Sequence, residues 1–162
     1  MDETTVIRLA TPADAAVLAE MRYEFRAAQG DAVEDRDVFV ARCTAWMAQR
    51  LTDEGAWRCW VAERGGRVMG HLWLQLIEKI PNPVIELEKH AYLTNFFVRP
   101  ELQGQGTGQR ILDAALTFCR EQRVDSVILW PTQRSRPLYE RNGFAVRDDI
   151  MEANLDGGRR LG

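Results

Sequence analysis

The sequence predicts an α/β fold in which helices pack against a mixed β-sheet. Short β-rich runs alternate along the 162 residues with segments whose apolar side chains recur every three or four positions, the period of a helix. Hydrophobic residues make up 46% of the chain and charged residues 28%, which is typical of a globular domain and not of a disordered chain. We therefore expect a single domain over residues 1–162, with its core between about residue 5 and about residue 155.

The first half of the chain predicts three strands and two helices. In order, these are a strand at residues 5–9, a helix from Thr11 to Gly30, a helix from about Asp35 to Leu51, and strands from Trp57 and from Val68. The first helix has a typical start, since Thr11 can cap it, Pro12 suits the first helical position and Asp14 favours the positive end of the helix dipole. Two glycines at positions 65 and 66 join the last two strands and indicate a tight hairpin.

The second half predicts a strand, a helix, another strand, a short helix and a final pair of strands. The first strand falls at residues 91–98, and the helix follows the glycines of 103–108. The next strand falls at 125–130, the short helix at 137–143, and the final two strands at 144–146 and 148–155. The predicted order is therefore β-α-α-β-β-β-α-β-α-β-β.

Composition excludes several classes of function. The net charge of -3 and the pI near 5.5 are unlike the basic footprint of a nucleic-acid binder. No apolar run approaches the roughly 18 residues of a membrane span, and the acidic start MDETTVIRLA is not a signal peptide. Cys43, Cys59 and Cys119 are expected to be buried thiols in a reducing, cytoplasmic setting. His71 and His90 lack ligand spacing to any cysteine, so no metal is expected.

The stretch QGQGTG, residues 103–108, lies between a predicted strand and a predicted helix. A helix N-terminus offers unpaired N–H groups to an anion, and glycine lets a phosphate approach the backbone, so the stretch predicts a phosphate cradle. Gln109 and Arg110 stand where a Walker loop needs Lys and Ser or Thr. The GxGxG spacing, with five residues between Val98 and Gly104, is also unlike a Rossmann fingerprint. A flexible surface loop is the alternative.

Two motifs together resemble the GCN5-related N-acetyltransferase (GNAT) family. The acyl-CoA loop of that family, Gln/Arg-x-x-Gly-x-Gly/Ala after a strand ending in V-x-P, is similar to Val-Arg-Pro at 98–100 followed by residues 103–108. A second signature, L-Y-x-x-x-G-F, stands at residues 138–144. The resemblance covers nearly the whole chain and implies a single-domain GNAT-like acyl-CoA N-acyltransferase fold.

The resemblance implies transfer of an acetyl group from acetyl-CoA to an amine, with acetyl-CoA as co-substrate. A bulge is common in the strand before the loop, and the N–H of about Phe97 or Val98 would then stabilise the oxyanion. Pantetheine would add to the edge of that strand, and Thr132 stands where relatives often have an asparagine that contacts pantetheine. The implied CoA-binding residues are Phe96, Phe97, Val98, Gln103, Gly104, Gln105, Gly106, Thr107, Gly108 and Thr132.

Tyr139, in the second motif, is the candidate general acid for the departing thiolate. Its alternative role is that of a core aromatic residue that holds the sheet together.

A general base is harder to identify. Relatives often place it on the face of Phe96, and counting back by twos gives Thr94, Tyr92, His90 and Glu88. Thr94 and Tyr92 are poor bases, so Glu88 and His90, acting through water, are the candidates; the alternative is a solvated strand end.

The acceptor is predicted from charge alone. The link between the first two helices and the start of the final strand pair carry acids: Asp31, Glu34, Asp35, Asp37, Asp148 and Asp149. Two acidic segments favour a cationic amine, small or at a peptide end. Alternatively, the acids of the link serve the start of the second helix.

A second class of function is a non-catalytic acyl-CoA-binding sensor or protein-interaction module. The expected partners are acetyl-CoA and an amine, with neither nucleic acid nor membrane, and a homodimer is left open.

Overall fold

The computed structural model describes residues 3–157, which form two compact units that divide between Ile128 and Leu129. The single-domain organisation stays a prediction. No helix in the described part of the chain is long and apolar enough to cross a membrane.

The first unit contains a five-stranded mixed sheet. Its strands are β1 (Val6–Leu9), β2 (Trp57–Arg64), β3 (Arg67–Glu78), β4 (Lys89–Val98) and β5 (Ser126–Ile128), and they lie side by side in that order. Strands β1 to β4 are antiparallel to their neighbours, whereas β5 runs parallel to β4. The parallel pair is separated in sequence by a helical crossover, as parallel pairing requires.

Four helices complete the fold and confirm the predicted α/β class. They are α1 (Ala15–Ala28), α2 (Arg36–Arg50) and α3 (Thr107–Glu121) in the first unit, and α4 (Arg136–Arg141) in the second. Short 3-10 turns, Pro12–Asp14 and Pro100–Leu102, precede α1 and α3. Asp35 caps α2 by accepting hydrogen bonds from the N–H groups of Asp37 and Val38, at 3.0 and 3.1 Å.

The predicted hairpin between β2 and β3 is also confirmed. Gly65 and Gly66 have φ values of +57° and +73°, and Arg64 pairs with Arg67 across the turn. Two successive positive φ angles define a tight turn whose twist matches that of the strands it joins.

Helices cover both faces of the sheet. One face packs against α1 and α2 through Leu18, Met47 and Trp73, all buried in one cluster. The other face meets α3, where the rings of Trp60 and Phe118 stand 5.3 Å apart. The sheet therefore has a buried core on each side, and its edge beside β4 carries the features that concern function.

The final pair of strands, predicted at 144–146 and 148–155, is wrong. Residues 129–157 contain no strand, and the side chains of Val146, Met151 and Leu155 are exposed. An alternating pattern favours a strand only where a neighbouring strand and an apolar surface receive it, and the second unit supplies no strand partner. Strand β5 is likewise shorter than the predicted 125–130.

One cysteine also departs from expectation. All three thiols are free, and Cys59 and Cys119 are buried, but Cys43 is only half-buried. Cys43 lies on α2, whose only buried residue is Met47, so this helix covers the sheet loosely.

Candidate functional site

The edge of β4 that faces β5 is open over most of its length. β5 pairs only with His90, Ala91 and Tyr92. In the first unit as described, β5 then ends at Ile128, while β4 continues to Val98 without a strand on that side. Within the first unit, the backbone groups of β4 beyond Tyr92 therefore have no strand partner on this side, which leaves them available to an extended ligand.

A β-bulge interrupts β4 along this open stretch. Trp73 pairs with Thr94 and His71 pairs with Phe97, so two residues of β4 lie opposite one residue of β3. One of the two is Asn95, whose φ of +53° lies in the left-handed region. A bulge here re-aims the backbone of the strand segment that follows it.

Two side chains from neighbouring elements hold the bulge. His71 Nδ1 lies 2.8 Å from the carbonyl oxygen of Asn95, so Nδ1 carries the proton and donates. Arg22, on α1, donates from Nη1 to Asn95 Oδ1 at 3.2 Å. Both the backbone and the side chain of Asn95 are thereby fixed.

The backbone beyond the bulge directs one N–H to the open edge. Arg99 donates its N–H to Met69 O on β3 at 2.8 Å. Because N–H groups alternate in direction along a strand, the N–H of Phe97 also faces β3, whereas that of Val98 faces the open edge. Of the two N–H groups predicted for the oxyanion, the geometry favours Val98.

The prediction that Thr94 lies on the same face of β4 as Phe96 is wrong, because the bulge falls between these two residues. His71 and Trp73 lie on one face of β3, so their partners Phe97 and Thr94 share a face, and Phe96 does not share it. Strict alternation fails wherever a strand gains an extra residue.

Glu88 and His90 lie at the other end of β4. His90 Nδ1 is 2.7 Å from Ser126 Oγ, and Glu88 is exposed. Asn95 is five positions after His90, which is about 17 Å along an extended strand. A catalytic role for Glu88 and His90 stays a prediction.

The glycine stretch lies at the opposite end of β4 from His90 and opens α3. Gly104 and Gly106 have φ values of +73° and +78°, and a Cβ atom added to either would have no atom within 4 Å. Gln103 Nε2 donates to Val98 O at 2.8 Å and Gln105 Nε2 donates to Glu101 O at 2.8 Å, which ties the loop to the strand end.

The backbone N–H groups of this loop lack an acceptor in the described part of the chain. Within residues 3–157, no hydrogen bond is formed by the backbone N–H groups of Gly104, Gln105, Gly106, Thr107 and Gly108. Unpaired N–H groups at a helix start, beside bare glycines, can receive the oxygens of a phosphate.

Tyr139 belongs to the second unit and lies on α4. It is 7% exposed, and its ring stands edge-on to that of Phe144 at 5.4 Å. Burial raises the pKa of Tyr139 to about 12. Thr132 and Ser135 bond each other's backbone N–H at the start of α4, at 3.0 and 3.1 Å.

The acids predicted to attract a cation have partners of their own. Asp35 caps α2, and three ion pairs engage the rest of the link: Asp31 with Arg26 at 3.1 Å, Glu34 with Arg42 at 2.6 Å, and Asp37 with Arg36 at 3.2 Å. In the second unit, Asp149 accepts from Arg147 Nε at 2.8 Å. Three of the four acidic charges of the link are therefore offset by arginines, and the fourth, on Asp35, serves the start of α2.

Sequence reasoning missed Arg22, His71 and Asn95. Asparagine tolerates a positive φ, so an asparagine within an apolar strand is a signal for a bulge. Arg22 stands four residues after the buried Leu18, so a charge on the inner face of α1 is visible in the sequence. Nothing local distinguishes His71, because its partner is 24 residues away.

No group of three His, Cys, Asp or Glu side chains among the described residues is arranged to hold a metal ion.

Comparisons with known proteins agree with the fold. The sequence model of the acetyltransferase (GNAT) family matches residues 18–144. Among solved structures, a predicted acetyltransferase from Clostridium acetobutylicum, solved with acetyl-CoA, is 21% identical with a TM-score of 0.78, and the match covers 97% of this chain and 100% of that one. A GCN5-related N-acetyltransferase from Ralstonia eutropha is 25% identical with a TM-score of 0.71, over 93% and 99% of the two chains.

A ribosomal-protein-alanine N-acetyltransferase from Brucella melitensis biovar Abortus is 19% identical with a TM-score of 0.67, over 96% and 100% of the two chains. No match was found among curated proteins. The matched residues run from within α1 to just beyond α4 and so cover the stretches that form the open strand edge, the bulge and the glycine loop. The chain belongs to the acetyltransferase (GNAT) family.

Proposed function

We propose that this acetyltransferase moves the acetyl group of acetyl-CoA to an amine by direct attack. The observation that carries the proposal is the open edge of β4, which leads from the bulge at Asn95 to the unpaired N–H groups of residues 104–108. One extended ligand with a phosphate near one end suits both features.

The residues of the first unit divide the binding task. The N–H groups of the glycine loop would hold the pyrophosphate, and the edge from Phe96 to Val98 would pair with the pantetheine amides. The N–H of Val98 would donate to the thioester oxygen and stabilise the negative charge that develops there. In the transfer, a bond forms between the amine nitrogen and the acetyl carbon, the carbon–sulfur bond breaks, and the amine loses one proton.

Tyr139 and Thr132 complete the proposal from the second unit. With a pKa of about 12, the Tyr139 phenol is protonated at neutral pH. A thiol has a pKa of about 8.5, so full proton transfer from Tyr139 to the thiolate is uphill, and a hydrogen bond to the sulfur is the smaller task it can perform. Thr132 would contact pantetheine. Glu88 and His90 are about 17 Å or more from the bulge along the strand, so they would need a chain of several waters to take the proton of the amine.

We propose an amine acceptor without requiring that it be a cation. The sequence favoured a small or peptide-end cationic amine because the link between α1 and α2 is acidic, but each acid of that link has a partner within the chain.

The free cysteines support a reducing, cytoplasmic location. A homodimer stays a prediction, which sedimentation of the purified chain would test.

The competing function is a non-catalytic acyl-CoA sensor. Two observations favour it: His90 lies far from the bulge, and the pKa of His71, which contacts Asn95, is lowered by burial to about 4, so His71 is a weak base. Purified protein mixed with acetyl-CoA and a panel of amines separates the two functions. We expect free thiol to appear only when both acetyl-CoA and an amine are present, with an acetylated amine in the mass spectrum. Binding of acetyl-CoA in calorimetry without thiol release from any amine would favour the sensor.

A further inference from the structure

Arg22 is a partly buried cation on the face of α1 that looks toward β4. It follows Leu18 by one turn, and Leu18 is fully buried against the sheet. Its Nη1 reaches Asn95 Oδ1 at 3.2 Å, so the guanidinium lies at the bulge. This contact ties the position of a charge to the strand segment that carries the open edge.

Among the described residues Arg22 has no carboxylate partner, which distinguishes it from the other arginines of α1 and its surroundings. Arg26, Arg36 and Arg42 each bind a carboxylate within 4.0 Å. For Arg22, the described residues provide only the amide oxygen of Asn95. Partly buried charges in proteins usually have a counter-charge.

The environment of Arg22 favours an anion. Burial lowers the pKa of Arg22, and the positive charge of Arg26 lowers it further. Arg22 and Arg99 also lower the pKa of the buried His71, so the space between α1 and the end of β4 carries positive potential. Two neighbouring arginines have carboxylate partners: Arg99 pairs with Glu24 at 3.4 Å, and Arg26 pairs with Asp31 at 3.1 Å. Of these three arginines, only Arg22 lacks a carboxylate partner among the described residues.

The guanidinium of Arg22 retains unused donors. It offers five N–H groups in a planar fork, and the residues of the described chain accept from Nη1 alone. In the described structure, Nε and Nη2 of Arg22 are not fully buried without a partner, in contrast to Nε of Arg99. A carboxylate can bind such a fork through two parallel hydrogen bonds.

Building on the proposed function, we propose that Arg22 binds the carboxylate of the acceptor, so that the substrate is a small molecule with both an amine and a carboxylate, such as an amino acid. Asn95, which contacts Arg22, precedes Val98 by three residues, about 10 Å along a strand. The carboxylate and the reacting nitrogen would therefore lie within about one small molecule's length of each other. The inferred charge is opposite to the one that the acidic link favoured.

The test compares acceptors that differ only in the carboxylate. A series of amino acids is assayed beside the matching carboxamides and the matching amines without the carboxyl carbon, and kcat/KM is measured by thiol release. We expect the unsubstituted enzyme to favour the carboxylate over both analogues by at least about tenfold, a difference of about 1.4 kcal/mol. The third series is needed because a carboxamide also changes the pKa of its amine.

Variants then assign the preference to Arg22. Arg22→Gln also loses the hydrogen bond to Asn95 and should lower kcat/KM for every series, but the loss should be at least about tenfold larger for carboxylates than for carboxamides. Arg22→Lys should keep part of the preference because its charge remains. Arg120→Gln is the matched control, since Arg120 is exposed on α3 and loses the same charge. Calorimetry with acetyl-CoA verifies that each variant is folded and that its CoA site is intact.

Three outcomes decide between the proposals. A carboxylate preference that disappears in Arg22→Gln and persists in Arg120→Gln supports the inference. Equal use of carboxylates and their analogues, or equal losses in Arg22→Gln on all three series, overturns the inference and leaves amine acetylation standing. Binding of acetyl-CoA with transfer to no amine at all overturns the proposed function and the inference together.

Discussion

Asn95 fixes the geometry on which the proposed chemistry depends. Its left-handed backbone is strained for most residues, and asparagine is among the few side chains that adopt it readily. Two further residues compensate for the remaining strain, because His71 and Arg22 hydrogen-bond the carbonyl and the side chain of Asn95. A single residue in β4 thus links the sheet, the helix α1 and the open edge.

Substitution of Tyr139 tests whether its hydroxyl contributes to catalysis. In Tyr139→Phe the ring remains and the hydroxyl is lost, so packing against Phe144 is nearly kept. We expect turnover to fall about tenfold, near or below the lower end of general-acid effects, because a thiolate leaves readily and the raised pKa of Tyr139 weakens proton donation. Affinity for acetyl-CoA in calorimetry should be unchanged.

The matched control removes a phenol hydroxyl elsewhere. Tyr23→Phe, on α1, loses a long hydrogen bond to Glu34 O at 3.5 Å and should keep normal turnover. Normal turnover in Tyr139→Phe together with a lower melting temperature would mean that the Tyr139 hydroxyl is structural.

Among the elements, β4 shows where sequence reasoning succeeds and where it stops. Its apolar run, its end at Val98 and the glycine loop after it were predictable, because local propensity and turn chemistry decide them. The bulge at Asn95 was not, since it depends on His71 and Arg22, which come from distant segments. Pairing with β5 over only three residues is equally non-local. The loop was thus predictable, whereas the direction of the Val98 N–H was not.

Substitution of Gly106 tests whether the glycine loop binds the pyrophosphate. Gly106→Val would put a branched Cβ into the open space where we propose the pyrophosphate, and it would strain a backbone with φ +78°. We expect affinity for acetyl-CoA to fall at least about tenfold, or about 1.4 kcal/mol, in calorimetry. The element α3 should still form, as far-UV circular dichroism can verify.

Gly30→Val separates the effect on the ligand from the effect of strain. Gly30 has the same φ of +78° and the same open space around a Cβ atom, but it lies after α1, away from the loop. Both variants should lose similar stability, and only Gly106→Val should lose affinity. Equal affinities in the two variants would remove the phosphate-binding role of the loop.

The fold of the whole molecule was predictable from the order of its helices and strands more than from any single element. Alternating β-rich and helical segments predicted the mixed sheet with helices, and TM-scores of 0.78 and 0.71 to solved relatives agree with it. The failure at residues 144–155 has the same origin as the success elsewhere, because a strand pattern needs a partner to become a strand. Charge patterns transferred least well, since the acids of the link pair with arginines that sequence spacing does not reveal.

The stability of the whole chain should fall on mild acidification because of one buried side chain. His71 is fully buried, and burial lowers its pKa from 6.5 to about 4. Between these values the unfolded chain binds a proton that the folded chain does not, so stability is full above about pH 6.5 and declines as the pH falls toward 4. The gap corresponds to about 3 kcal/mol of unfolding free energy. The lowered pKa of Asp14 acts in a more acidic range, below its usual value of 3.8.

Urea unfolding, followed by tryptophan fluorescence at several pH values from 7 to about 4.5, measures this loss. We expect His71→Asn to be less stable at pH 7, because the ring is lost from the core, but to lose much less stability on acidification. Asparagine retains an N–H donor near the position of Nδ1, which spares the hydrogen bond to the Asn95 carbonyl. His90→Asn is the control for the loss of a histidine; because it retains the buried His71, the loss of stability on acidification should persist in it. Parallel pH profiles for the His71→Asn and unsubstituted chains would show that His71 is not the group responsible.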